Sequence, residues 1–281
     1  MSSERHLVIT RRQNSQIGNW GKEFAEFAGE NYAFESCETW LTSPDQFSLA
    51  EQNRVSWLVR GFASVIAFGL GIGSALPLGL GGTVVTLAPA PKVIPLLSRN
   101  LKIIAASDEL AKTLRSTYPY NRVKSCAPGV QESDFEIEKL SFDELRVCIY
   151  GKADTLELET NLIRACQKRG VEATFFGEES INQCNIILYL PNSNDFPLAL
   201  LQQMVRQKTV LLPLKSAESL GLQPQKDCLI IETGEQLIGS VVSSLQLPMT
   251  LESVGLASRA TVLNQFDFET KFKELLQLVS K

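Results

Sequence analysis

The chain has 281 residues, 44% hydrophobic and 21% charged, with a formal net charge of -4. That length suits two domains, each with its own core, and the composition is that of a globular protein, neither disordered nor basic enough for a broad nucleic-acid surface. Six cysteines occur without a C-x-x-C pair and His6 is the sole histidine, so a His-based zinc site or a Ser-His-Asp triad has almost nothing to draw on.

Strand-like blocks recur along the chain, each followed by a helix-like block, the rhythm of a parallel sheet wrapped by helices. "HLVIT" from His6 is the first strand, followed by an amphipathic helix around "WGKEFAEFAGE". The opening lacks a signal-peptide apolar run, which together with unpaired cysteines leads us to expect a cytoplasmic protein. Residues 61–91 then run thirty-one positions without a charge, long enough to span a bilayer, but they hold seven glycines and three prolines. Two buried strands, "ASVIAF" and "TVVTLA", with a Gly-rich turn and short helix between them fit better, so membrane contact is not favoured. "GLGIGS" within that turn has Ser74 where a dinucleotide fingerprint wants glycine, and tight strand-to-helix packing accounts for it. "LKIIAAS" leads into "SDELAKTLRSTY", where Ser107 caps a helix whose first turn carries Asp108 and Glu109.

The polar stretch "QESDFEIEKLSFDE" separates the halves. Beyond it the alternation restarts with "LRVCIYGK", a helix over "TLELETNLIRACQKRG", then "VEATFFG", "CNIILYLP", "KTVLLPL" and "DCLIIET", and the tail carries three helical patterns. The expected fold class is α/β, with two Rossmann-like parallel-sheet domains facing a cleft: residues 1–130, a linker at 131–144, and residues 145–281 including the C-terminal helices.

This order of blocks resembles the GT-B glycosyltransferases, particularly the family 4 group of retaining enzymes. "LRVCIYGK" looks like the first strand of their nucleotide-binding domain. "NIILYLPNSNDFPLALLQQMVRQKTVLLP" is similar to their donor-site signature, in register without a gap from Phe196 to Met204. The resemblance implies a nucleotide-sugar donor, with no metal and no other cofactor, and donor contacts from Gly18, Lys152, Asn194, Phe196, Pro197, Leu198 and Gln202. Gly18, in "QIGNW", is expected in a Gly-rich turn approaching the donor phosphates.

The sequence departs from the family where charge matters. The signature's two glutamates fall on Asn194 and Gln202, and Ala88 stands where a histidine is common. An amide still hydrogen-bonds a hydroxyl but carries no charge and takes up no proton. Asp195 stands one position from the acid site, where it suits the entrance of the helix starting near Pro197 better than catalysis; Asn194 and Asp195 are the weak catalytic candidates. Lys152 matches a phosphate-binding basic residue, yet "ADTLELE" after it brings acids. The expected function is a degenerate glycosyltransferase-like protein acting as a binding or partner subunit in glycan synthesis, its partner a glycosyltransferase or a second copy of itself. An active retaining hexosyltransferase and a membrane-associated assembly protein are the alternatives.

Overall fold

The computed structural model describes residues 4–12, 15–38, 47–77, 80–88, 97–131, 141–151, 155–191 and 196–280. The chain divides into two compact units: residues 1–129 with 194–196 and 268–281, and residues 130–193 with 197–267.

In the first unit, strand β1 (His6–Thr10) leads to helix α1 (Gln16–Ala28) and β2 (Tyr32–Ser36), and α2 (Leu49–Val59) returns the chain to β3 (Ser64–Phe68). Helix α3 (Leu70–Ser74), β4 (Gly82–Thr86), β5 (Leu101–Ala105), α4 (Asp108–Thr117) and β6 (Arg122–Ser125) complete a parallel sheet ordered β2-β1-β3-β4-β5-β6. Its central strands are buried on both faces, which explains their unbroken apolar runs. The uncharged stretch thus contains β3, α3 and β4, and among the described residues no helix is long and apolar enough to cross a membrane. Gly73 is the tight-packing glycine of "GLGIGS": a Cβ there would lie 2.7 Å from Val84. Ser107 caps α4 by accepting from the Leu110 N–H at 3.2 Å.

Two elements escape the sequence pattern. β2, "YAFES", is a half-buried edge strand without clear alternation. α2 carries a full capping box between Ser48 and Glu51, a signal that was legible in the sequence.

In the second unit, β7 (Leu145–Tyr150), α5 (Leu156–Lys168), β8 (Ala173–Phe176), β9 (Ile186–Tyr189), α6 (Leu198–Val205), β10 (Thr209–Pro213), α7 (Leu214–Ser219) and β11 (Leu229–Ile231) build a parallel sheet ordered β11-β10-β9-β7-β8. Helices α8 (Leu237–Leu245) and α9 (Pro248–Gln265) close it. Buried Asn185 ties its strands at their amino ends, accepting from Arg146 N–H and donating to the Ser141 and Glu144 carbonyls.

The final helix, α10 (Phe268–Ser280), corrects an assignment made from chain order: it belongs to the first unit. Phe272 is fully buried against Phe24 and Phe27 of α1, with ring centroids 5.8 and 5.4 Å away. Lys102 donates to the Leu278 carbonyl at 3.1 Å, a cation at the negative end of the helix dipole. Gly129 allows the approach, since a Cβ there would fall 2.7 Å from the Phe268 backbone.

Candidate functional site

Parallel sheets bind ligands beyond the carboxyl ends of their strands, where the direction of winding reverses. In the second unit the chain moves from β7 out to β8 at the edge and then back past β7 to β9, so the reversal lies between β7 and β9. There the Leu190 N–H donates to the Tyr150 carbonyl at 2.9 Å, and the rings of Tyr150 and Tyr189 stack at 5.8 Å. Gly151 has φ +90°, and a Cβ on it would stand 2.9 Å from the Leu190 carbonyl oxygen. Both requirements select glycine. Lys152 follows Gly151 directly, and Asn194 and Asp195 follow β9; all three lie outside the described residues.

Helix α6 leads away from this edge. Half-buried Pro197 is its N-cap and buried Leu198 opens it. Gln202 is half-buried and its amide makes no hydrogen bond to the described residues, while Oε1 of its buried neighbour Gln203 has no partner among them. The far end of α6 is clamped by α9. Buried Arg259 donates to the Val205 carbonyl, and Gly255 leaves room for the Gln207 carbonyl, 2.3 Å from where a Cβ would sit. Sequence reasoning did not find Gly255 or Arg259, because their value comes from an element some fifty residues downstream of α6.

In the first unit the reversal lies between β1 and β3. A cavity of about 410 Å³ opens there, lined by Ser15 to Ile17 at the start of α1, Gly69 to Gly71 after β3, and Thr86 to Ala88 after β4. None of the described residues that line it is ionisable. Ala88 closes a small turn with Thr86, whose hydroxyl accepts from Ala88 N–H and donates to Ala88 carbonyl. Phe196, which belongs to this unit, is buried and donates its N–H to the Leu87 carbonyl at 2.7 Å. The start of the signature-like segment therefore meets the cavity rim beside Ala88.

The loop expected around Gly18 is a correction. Gly18 lies within the first turn of α1, because Ser15 starts the helix one turn earlier than the apolar pattern suggests. Its N–H is taken by the Ser15 hydroxyl at 3.1 Å, so it is not a free donor for phosphate.

The cysteines are all buried. Burial pushes the thiols of Cys37, Cys126 and Cys228 up to about 12, a range in which they do not act as nucleophiles. Cys148 is held protonated by its hydrogen bond to Cys184 and by burial. Buried Lys208 nearby donates to the Ile181 and Asn182 carbonyls at 2.5 and 3.1 Å. Among the described residues no cluster of three or more His, Cys, Asp or Glu is placed to hold a metal ion.

No protein-family profile matches the sequence, and no curated protein matches it. Solved structures do match across nearly the whole chain. HepE of Anabaena in complex with UDP-glucose aligns with a TM-score of 0.70 at 11% identity, covering 99% of this chain and 100% of that one. The fold is that of the GT-B glycosyltransferases. Sucrose-phosphate synthase from Thermosynechococcus elongatus aligns with a TM-score of 0.69 at 12% identity, covering 98% of each chain. WaaG, a glycosyltransferase involved in lipopolysaccharide biosynthesis, gives 0.64 at 12% identity, covering 98% of this chain and 99% of its own. At these identities the likeness is one of fold.

Proposed function

We propose that this GT-B chain binds a nucleotide sugar without turning it over and serves as a binding or partner subunit in glycan synthesis. The observation that carries the reading is Gln202. It sits half-buried on α6 with its amide unengaged by the described residues, available to hydrogen-bond a ligand hydroxyl but unable to hold charge. Ala88 lines the first unit's cavity with a methyl group where the resemblance aligns histidine, and Asn194 stands where it aligns an acid. Removing one group that stabilises developing charge typically costs about 10²- to 10³-fold in rate, so three such losses leave little turnover. Lys152, next after Gly151 at the second reversal point, supplies the cation for the diphosphate, and Phe196, Pro197 and Leu198 hold the signature turn.

The test pairs binding with turnover. UDP-glucose, the ligand in the HepE structure, leads a panel of nucleotide sugars. At one hundred times its dissociation constant a ligand stabilises the native state by about 2.7 kcal/mol, a rise of several degrees in melting temperature. The expected result is such a rise with one member of the panel, its loss in Lys152→Ala, and no release of free nucleotide with acceptor glycans. Nucleotide release that disappears in Lys152→Ala would establish the active retaining transferase instead. A melting temperature unmoved by every nucleotide sugar would end the reading.

A further inference from the structure

All six strands of the first unit's sheet run parallel, so their amino ends share one edge, at the opposite end of the sheet from the cavity. Three arginines on that edge lie over aromatic rings. Arg5, just before β1, stands 5.4 Å from the ring centroid of Phe62, which shortly precedes β3. Arg60, the C-cap of α2, stands 4.7 Å from Trp57 in the helix's last turn. Arg99, in the turn into β5, stands 4.5 Å from Tyr120, in the turn into β6, and Arg122 opens β6 beside them. The four arginines are exposed, as are Trp57 at 71% and Tyr120 at 70%. From β1 to β6 is four strand spacings, about 19 Å. Hydrogen bonds hold the turns in place: Ala63 N–H donates to the Arg5 carbonyl at 2.7 Å, and the Asn121 amide donates to the Ser98 and Leu101 carbonyls at 2.9 and 2.7 Å.

The chemistry of this row selects an anionic partner. None of the four guanidiniums forms an ion pair with a described residue. The acids leading into these strands among the described residues, Glu4 before β1 and Glu30 before β2, sit at one corner, away from Arg60, Arg99 and Arg122. All four cations are arginines, whose planar fork pairs bidentately with carboxylates. Stacking on a ring already orders three of them, so little side-chain freedom remains to be lost on binding. Arg, Trp and Tyr are also the residues that dominate protein–protein hot spots. A lipid surface calls for apolar side chains projecting into it, whereas each exposed ring here carries a guanidinium over its face. A long polyanion such as nucleic acid is opposed by the net charge of -4. We propose that this edge docks a partner protein, which lays an acidic segment, its carboxylates spread over about 19 Å, across the arginine row. The inference goes beyond the nucleotide-sugar reading and stands whether or not the chain binds one.

The probe is a fluorescein-labelled oligoglutamate of about eight residues, which at about 3.3 Å per residue covers the row, with an oligolysine of the same length as control. Titrated with the full chain, the oligoglutamate should show a saturable rise in anisotropy at low ionic strength that weakens as salt is added, and the oligolysine none. Arg60→Gln with Arg99→Gln should weaken oligoglutamate binding about tenfold. Trp57→Ala removes a ring but no charge and should weaken it about threefold, the size of an exposed cation–π contact. Lys168→Gln with Lys226→Gln makes the same change of net charge on exposed positions of the second unit and should leave binding unchanged. Absence of oligoglutamate binding, equal losses in the two double variants, or full affinity in Trp57→Ala each overturns the proposal. So does tighter binding of phosphatidylglycerol vesicles or of oligogalacturonate, or a self-association in sedimentation velocity that the arginine substitutions abolish. Thermal shifts with the nucleotide-sugar panel separate the two readings: a shift there without oligoglutamate binding sinks only this one, and the reverse sinks only the other.

Discussion

Replacing Gly151 with alanine tests the geometry at the second reversal point. Two costs add: a left-handed backbone for an L-residue, about 1–2 kcal/mol, and a Cβ driven to 2.9 Å from the Leu190 carbonyl oxygen, about 1–3 kcal/mol by analogy with overpacked cores. The stiffer unfolded chain returns about 0.4–1 kcal/mol, leaving a net loss near 3 kcal/mol. Gly170 supplies the control. It has φ +66° just past the end of α5 and nothing within 4 Å of a built Cβ, so its alanine variant carries the backbone cost alone, about 1 kcal/mol net. At roughly 4 °C per kcal/mol for a unit of this size, Gly151→Ala should melt about 10 °C lower and Gly170→Ala about 4 °C lower by scanning calorimetry. Equal shifts in the two variants, or a smaller one for Gly151→Ala, would refute the claim that β7 and β9 close onto this glycine.

Phe272→Ala empties a fully buried ring site between α10 and α1 and should cost about 3–5 kcal/mol, read as earlier proteolysis within the first unit while cleavage in the second is unchanged. The same cleavage pattern as the parent protein would contradict the assignment of α10 to the first unit. Alkaline pH provides another check. Cys37, Cys126 and Cys228 titrate near 9 when unfolded and are pushed up to about 12 by burial, so the folded state holds their protons more tightly. Their contribution is therefore complete below pH 9 and is lost as pH rises from 9 toward 12, by about 1.4 kcal/mol per pH unit for each thiol. The urea midpoint should be flat from pH 7 to 8.5 and fall beyond 9, with a shallower fall once Cys228 is replaced by alanine.

Much of the secondary structure was legible because it depends on local periodicity. The apolar runs of β1, β3, β4, β7, β9 and β10 mark strands buried on both faces, and Ser107 with Asp108 and Glu109 marks the start of α4. β2 has no such run because it is a half-exposed edge strand, and α2 is marked in the sequence only by the Ser48–Glu51 capping box. Gly18 was placed in a loop because the helix start set by Ser15 lies a turn before the apolar pattern begins.

The sequence by itself determined two α/β halves, the neutral residues Ala88, Asn194 and Gln202 in the aligned segments, and a shortage of groups for metal or triad chemistry. Those properties follow from residue types and short-range spacing. Only the tertiary structure decided that α10 packs on the first unit, that Gly151 stands at a winding reversal, and that Ile17, Gly69 and Ala88 meet around one cavity. Strand order and long-range packing bring together residues far apart in the chain, and no local pattern encodes which strand lies beside which.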